Sequence, residues 1–354
     1  MIINQTIYKK DSAGRVRFLH LSHEDNFVVQ RSGVVGTDNV VENRSACTAK
    51  NVGKSNGTSA NYQAMLETRA KLDEKLRLGY FYTEIEAMEK GGKDFLLPML
   101  AKDYKKEFKK VKYPCYAQPK LDGMRALGSD EDALVSRTGK VIDTIKHIKF
   151  NGLGETVLDG ELYAHGKSFQ EVMRLVKKYR PLETETVKYH VYDLIMNAPF
   201  NVRYLTLARI CIDNPHLDLV ETVRVNNEAE MLEYHKKNIA AGYEGTMIRH
   251  GESGYAVNKR SSDLLKYKDF LDEVYLIVDV VPSESRPEQG VIRCFCSRTG
   301  QYFNTGMKFS HAEREEILVN KSKYIGQTAE IRFFEFTESG IPRFPVCHGF
   351  RLDK

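Results

Sequence analysis

The residues best suited to covalent chemistry stand in one short run, Gln118-Pro119-Lys120-Leu121-Asp122-Gly123-Met124-Arg125. Taken alone, a lysine beside an Asp-Gly turn and an arginine would also serve as a charged hairpin. Four further groups follow it in order: Asp159-Gly160-Glu161-Leu162, Tyr192-Asp193, Glu244-Gly245-Thr246-Met247 and Leu265-Lys266-Tyr267-Lys268. The sequence closes on Arg351-Leu352-Asp353-Lys354.

These residue types suit nucleophilic attack on phosphorus. A lysine amine has a reference pKa of about 10.4, so only about one in a thousand is neutral near pH 7.4. Attack therefore needs a lowered pKa, supplied by burial or by neighbouring cations. Lys266 and Lys268, two apart on a strand, share a face and can provide that field. The same two ammonium groups would neutralise charge building on phosphoryl oxygens during in-line displacement. Mg²⁺ takes oxygen ligands and holds few protein groups directly, a task that fits Glu161 and Glu244, each read at a strand end beside a glycine. Tyr192 offers a flat ring for a base, and Arg125 or Glu161 can reach ribose hydroxyls.

In this order the groups resemble the motif series of the covalent nucleotidyltransferases, the superfamily of DNA ligases, RNA ligases and mRNA capping enzymes. The resemblance implies that Lys120 becomes the lysyl-AMP and that Tyr192 packs on the purine. Gln118 and Arg125 join the nucleotide-binding set, Glu161 and Glu244 serve ribose and metal, and Lys266 and Lys268 bind the α-phosphate. Arg351 and Lys354 would close over ATP and orient the leaving pyrophosphate. Leu97-Pro98-Met99-Leu100-Ala101 is similar to the entry sequence of DNA ligases, and Ser136-Arg137-Thr138-Gly139 resembles the loop that grips a nick phosphate in small viral ligases. Asp122, Arg125 and Arg137 are the DNA-binding residues so implied. Pro342 to Arg351 resembles the end of the chlorella-virus-type ligase. A second Ser-Arg-Thr-Gly, Ser297 to Gly300, reads as a hairpin turn.

The implied activity is that of a compact viral or phage ATP-dependent DNA ligase, with ATP and Mg²⁺ as cofactors, nicked duplex DNA as partner, and a cytoplasmic monomer as the state. Two readings compete: an mRNA capping guanylyltransferase or RNA ligase using the same lysine, since Arg-x-Asp-Lys suits capping enzymes too, and a DNA-binding protein with a decayed core. The intact lysine, glutamates and paired lysines count against decay. One departure stands out. The viral relative clasps DNA with a long barrel hairpin, whereas the loop Pro282 to Gly290 is short here.

Three domains are expected of the elements that position these groups, in an α+β class. Residues 1–93 read as a small α+β accessory domain, with hairpins over Phe18 to Val41 and a helix over Ala60 to Leu78 between the cap Ser59 and the stop Gly79. Tyr62, Met65, Leu66, Leu72 and Leu76 fall near one helix face, and Gly91-Gly92 marks a linker. Phe27 to Gly36 and the helix resemble the WGR nucleic-acid-binding module, although Ser32 and Val34 replace its Trp and Arg and the chain has no Trp. Residues 94–271 read as an ATP-grasp-like nucleotidyltransferase domain, with strands at Val111 to Ala117, Thr156 to Tyr163 and Tyr189 to Ile195 and helices at Phe169 to Lys178 and Glu228 to Ala241. Residues 272–354 alternate as short strands around one helix, His311 to Asn320, which suits an OB-fold barrel.

Composition is permissive. A net charge of +5 fits a polyanion partner without demanding one. No secretory h-region opens the sequence and no run approaches the roughly 18 apolar residues of a membrane span. The six cysteines are scattered, and Cys294 and Cys296, two apart on a strand, give same-face thiols rather than a zinc loop.

Overall fold

The computed structural model describes residues 3–11, 13–91, 96–130, 133–150, 152–284 and 286–351. The chain divides into two compact units, one of Asp94–Lys268 and one of Met1–Lys93 with Asp269–Lys354.

The N-terminal part is an antiparallel meander of β1 (Asn4–Lys10), β2 (Val16–Glu24), β3 (Phe27–Val34) and β4 (Val40–Ala46), followed by α1 (Ala60–Arg77) and α2 (Glu84–Lys90). Ser59 Oγ accepts the Tyr62 N–H at 3.2 Å to start α1, and Gly79, at φ +81°, lies just past its end. Apolar residues of the sheet, Ile7, Leu19 and Leu21, meet Leu72. The expected helix face packs at Leu72 and Leu76, but the first half of the helix differs: Ala64 and Thr68 are buried there, while Tyr62 and Leu66 are 50% and 38% exposed. Small residues four apart let the helix lie close to the sheet, and Thr68 bonds its hydroxyl back to the Ala64 carbonyl at 2.8 Å. Of the expected linker pair, Gly91 follows α2 and Gly92 lies outside the described residues.

The central unit holds two five-stranded sheets. Its elements run β5 (Leu100–Asp103), α3 (Tyr104–Glu107), β6 (Cys115–Lys120), β7 (Met124–Ser129), β8 (Ala133–Ser136), β9 (Leu158–Tyr163), α4 (Phe169–Lys177), β10 (Lys188–Leu194), α5 (Phe200–Ile212), β11 (Leu217–Leu219), β12 (Val223–Val225), α6 (Glu228–Ala240), β13 (Gly245–Arg249) and β14 (Arg260–Tyr267). One sheet is ordered β11-β10-β9-β7-β8 and the other β12-β6-β13-β14-β5. The strand expected from Val111 begins only at Cys115, because Pro114 lacks the N–H that a ladder requires. Register now does the positioning. Gln118 pairs with Met247 and Lys120 with Gly245 across β6 and β13, Met247 pairs with Lys266 across β13 and β14, and Arg125 pairs with Glu161 across β7 and β9. Close approach fixes two glycines of the motifs. A side chain on Gly123 would meet the Leu162 carbonyl oxygen at 2.3 Å, and one on Gly245 would meet that of Tyr267 at 2.3 Å.

The C-terminal part is a closed barrel, β15-β16-β17-β19-β18, built from β15 (Leu271–Pro282), β16 (Gly290–Cys296), β17 (Gln301–Met307), β18 (Thr328–Phe333) and β19 (Val346–Arg351). The helix α7 (His311–Val319) enters through a capping box of Ser310 and Glu313. Cys294 and Cys296 both face the barrel core with Ile277, Ile292, Ile331 and Phe333, as their spacing requires. The second Ser-Arg-Thr-Gly turns the β16–β17 hairpin, with the Gly300 N–H on the Cys296 carbonyl at 2.9 Å. Among the described residues, no helix is long and apolar enough to cross a membrane.

Candidate active site

The two sheets of the central unit border a cavity of about 600 Å³. Gln118, Lys120, Arg125, Arg137, Glu161, Tyr192, Lys266 and Lys268 all line it. Residues scattered over some 150 positions thus converge because β6, β13 and β14 lie side by side and β7 and β9 face them.

Lys120 ends β6, and its Nζ donates to Glu244 Oε2. The other oxygen of Glu244 is ion-paired with Lys268 Nζ, so one almost buried carboxylate joins two ammonium groups. This refines the division of labour expected of the paired lysines. Lys268 spends charge on Glu244, whereas Lys266 faces Lys120 electrostatically. Burial first, and then the charge of Lys120, hold the Lys266 amine below the usual lysine range.

Glu161 lies within β9 rather than at its end, and burial pushes its carboxyl up to about 7 despite the cations Lys120 and Arg125 nearby. A carboxylate so desolvated favours a cation close to it. Glu244 stands immediately before β13. Among the described residues, no cluster of three or more His, Cys, Asp or Glu forms a ready metal cage. Mg²⁺ needs no such cage, since it binds through one or two carboxylates together with substrate phosphates and water. Glu161 and Glu244 fit that donor set.

Arg125 has less freedom than the sequence suggested. Its guanidinium forks onto Asp159 at 2.9 and 2.5 Å, and Asp159 also accepts from the Tyr255 hydroxyl at 2.7 Å. A second buried network surrounds Asp193. Arg203 Nε donates to it at 2.7 Å, Arg249 Nη1 donates to its other oxygen, and Arg249 Nε reaches Gln118 Oε1 at 2.7 Å. Gln118 completes the web through its amide, at 2.9 Å from Thr222 Oγ1 and 3.2 Å from the Tyr192 carbonyl. The guanidiniums of Arg125 and Arg249 lie 5.8 and 5.6 Å from the Tyr192 ring centroid. The Tyr192 hydroxyl is 3.3 Å from Glu161 Oε2.

Several of these partners carried no assignment from sequence. Asp159 and Asp193 were visible only as letters within motifs, and Arg249, Arg203, Tyr255, Phe169 and Met173 were not singled out. One signal was available for Arg249: it shares a strand face with Met247, opposite the buried Ile248, so a charge there has to meet something polar. Phe169 and Met173, four apart on α4, add apolar wall to the cavity.

The remaining expected residues sit elsewhere. Asp122 is not among the cavity-lining residues and acts electrostatically on Tyr163. Arg351 belongs to β19 of the barrel, where its Nε donates to Glu330 at 2.9 Å. Lys354 lies outside the described residues.

With this geometry in hand, the comparisons agree. Residues 98–268 match the ATP dependent DNA ligase domain family, and residues 288–351 match the DNA ligase OB-like domain. A DNA ligase of African swine fever virus is 27% identical over 339 residues, covering 85% of this chain and 78% of the relative. The DNA ligase of Enterobacteria phage T4 is 24% identical over 304 residues, covering 66% and 62%. A solved structure from a study of minimal-scaffold Lig E DNA ligases superposes with a TM-score of 0.61 at 22% identity, covering 72% of this chain and 99% of that one. The chain belongs to the ATP-dependent DNA ligases. Its ATP requirement and nicked-DNA substrate are those of the family.

Proposed function

We propose that this ligase seals 5′-phosphate/3′-hydroxyl nicks through Lys120, whose Nζ attacks the α-phosphorus of ATP. A P–N bond forms, the bond to the bridging oxygen of pyrophosphate breaks, and pyrophosphate leaves. The AMP then passes to the 5′-phosphate of the nick, and the 3′-hydroxyl displaces AMP to close the strand. The carrying observation is the placement of Lys120 Nζ at the wall of an arginine- and lysine-lined cavity, bonded to Glu244 and opposed by Lys266.

Each neighbour has a task in this reading. Glu244 orients the Lys120 amine and, once drawn toward a cation, releases it for attack. Lys266 and Lys268 receive charge accumulating on the α-phosphate oxygens. Tyr192, flanked by two guanidiniums, carries the adenine on its ring, with Phe169 and Met173 as further apolar wall. Gln118 is held by Arg249 and Thr222 at the same wall. Glu161 and Glu244 would hold Mg²⁺, which supplies electrostatic stabilisation of the phosphoryl oxygens when bound. Arg137, at the turn after β8, takes the nick phosphate, and Asp122 acts on the DNA side of the lysine. Arg351 and Lys354 orient the pyrophosphate.

The domain reading is part of the same proposal. Residues 94–271 are the adenylation domain, 272–354 the OB-fold and 1–93 an accessory, WGR-like domain that clasps DNA in place of a barrel hairpin. The enzyme works as a monomer in the cytoplasm. Incubation with α-labelled ATP and Mg²⁺, then with nicked DNA, should give a covalent adduct that is lost in Lys120→Ala and discharged by the nick. Label from GTP alone would sink the reading. Removing residues 1–93 should leave adduct formation intact and weaken nick affinity, and unchanged affinity would refute the clasp.

A further inference from the structure

The strongest charge imbalance in the molecule lies outside every motif used so far. Between Lys102 and Lys112 the sequence reads Lys-Asp-Tyr-Lys-Lys-Glu-Phe-Lys-Lys-Val-Lys, six lysines against two carboxylates. These eleven residues hold +4 of the chain's net +5. They run from the end of β5 through the short helix α3 and the single 3-10 turn Phe108–Lys110 that continues it, to Lys112 just beyond. Lys105, Lys106, Lys109 and Lys110 therefore stand at i, i+1, i+4 and i+5 of one helical stretch, and all four are exposed, as is Lys112.

The carboxylates of the segment balance only part of this charge, with Glu107 3.9 Å from Lys102 as well as paired to Lys110. Asp103 accepts the backbone N–H of Lys105 at 2.9 Å as a helix cap, and Glu107 pairs with Lys110 at 2.7 Å. Like charges four apart oppose the helix that carries them. The opposite face explains why the helix holds nonetheless. Tyr104 is buried against Tyr267 with ring centroids 5.2 Å apart, and its hydroxyl donates to Glu228 at 2.7 Å. The ridge is thus clamped from below and left cationic above, with the half-exposed Phe108 ring among the lysines and Lys109 Nζ 5.9 Å from its centroid.

The ridge borders the edge of the sheet that walls the cavity and packs through Tyr104 on that sheet's other face. β5 delivers Leu100 and Ala101 to the cavity wall and leads directly into the lysines. It pairs with β14, which carries Arg260 and Lys266 toward the cavity and Tyr267 on its other face, where Lys105 Nζ lies 5.2 Å from the Tyr267 ring centroid. A row of exposed ammonium groups beside the edge strand of the sheet that walls the cavity matches a regularly charged, extended polyanion better than a compact one.

We propose that the Lys102–Lys112 ridge is a phosphate-tracking surface that holds the duplex flanking the nick, independently of base sequence. It rests on the DNA-ligase reading, and its residues take no part in adenylation. Ammonium groups on flexible stems neutralise backbone phosphates and release condensed counterions, a contribution that carries no sequence information.

The test is binding of the full chain to nicked and to intact duplexes at several salt concentrations, comparing the natural protein with a Lys106→Ala, Lys109→Ala, Lys110→Ala, Lys112→Ala variant. Each phosphate contact contributes about 0.9 to the slope of log K against log salt, so the variant's slope should be shallower by about 2 or more. Affinity should fall alike for nicked and intact duplex, while adduct formation from ATP and the thermal midpoint stay unchanged. The corresponding fourfold Lys→Arg variant should restore the slope. An unchanged slope in a variant that still forms adduct would overturn the ridge and leave an acidic protein surface as its partner. Failure of the natural protein to join nicked DNA would instead overturn the ligase reading, so the two failures are separable.

Discussion

The central cavity and the N-terminal sheet both hold arginine–carboxylate webs, yet their surroundings differ completely. Around Asp193, the side chains of Arg203 and Arg249 are 3% exposed and the carboxylate 0%. On the N-terminal sheet, Arg31 and Arg44 share Glu24 and Glu42 at similar distances, but each of these groups is more than a third exposed or close to it. Water can replace any partner lost from the outer web, and nothing can replace one lost from the inner web. The inner web therefore holds Gln118, Tyr192 and Arg249 in fixed relation before substrate arrives, and preorganised polar groups are what a phosphoryl transfer requires. The outer web leaves its sheet free to keep or exchange its charges.

Four substitutions would break or sharpen that contrast. The largest effect belongs to Lys120→Ala, which should abolish the adenylate adduct while the fold survives, since Glu244 keeps its pair with Lys268; the readout is label retained on denatured protein. Asp193→Ala comes next. It strands two buried guanidiniums and should cost about 3–5 kcal/mol in a urea titration; a loss under about 1 kcal/mol would contradict the preorganised web. Arg249→Ala removes one donor from Asp193 and one from Gln118, so we expect a loss of about 1.5–3 kcal/mol and a raised KM for ATP in adduct formation. Unchanged KM would mean that the web supports the fold without shaping the nucleotide pocket. Smallest is Glu24→Gln on the outer web, for which the unfolding midpoint should not move measurably; a clear drop would show that this surface is shielded by something else.

Legibility followed the same line. The limits of α1 were readable because Ser59 and Gly79 are local signals, and the barrel strands were readable because inward and outward residues alternate. The convergence of Gln118, Lys120, Glu161, Tyr192, Lys266 and Lys268 on one cavity was anticipated by their order and type. The Arg203–Asp193–Arg249 web was not, because it depends on cross-strand and helix-to-strand contacts that no spacing encodes. The packing face of α1 was legible at Leu72 and Leu76 but not in the first half of the helix, for a related reason. Hydrophobicity pointed to Tyr62 and Leu66, while closeness to the sheet selected Ala64 and Thr68. The pairing of Lys268 with Glu244 likewise depended on which way two side chains turned at the end of β14.

The parallel pairing of β5 with β14 has a consequence for how the chain comes off the ribosome. Leu100 is matched to Arg260 and Asp103 to Lys266, so the first strand of the central unit waits for its last. The N-terminal meander, whose strands pair only with their neighbours in sequence, can close as it emerges. The edge beside the cavity cannot be sealed until residue 267 has been made, so a nascent chain stopped short of β14 exposes a strand edge and lacks the two lysines that the finished site needs. Closure of the sheet and delivery of Lys266 to the cavity are therefore a single late event in synthesis.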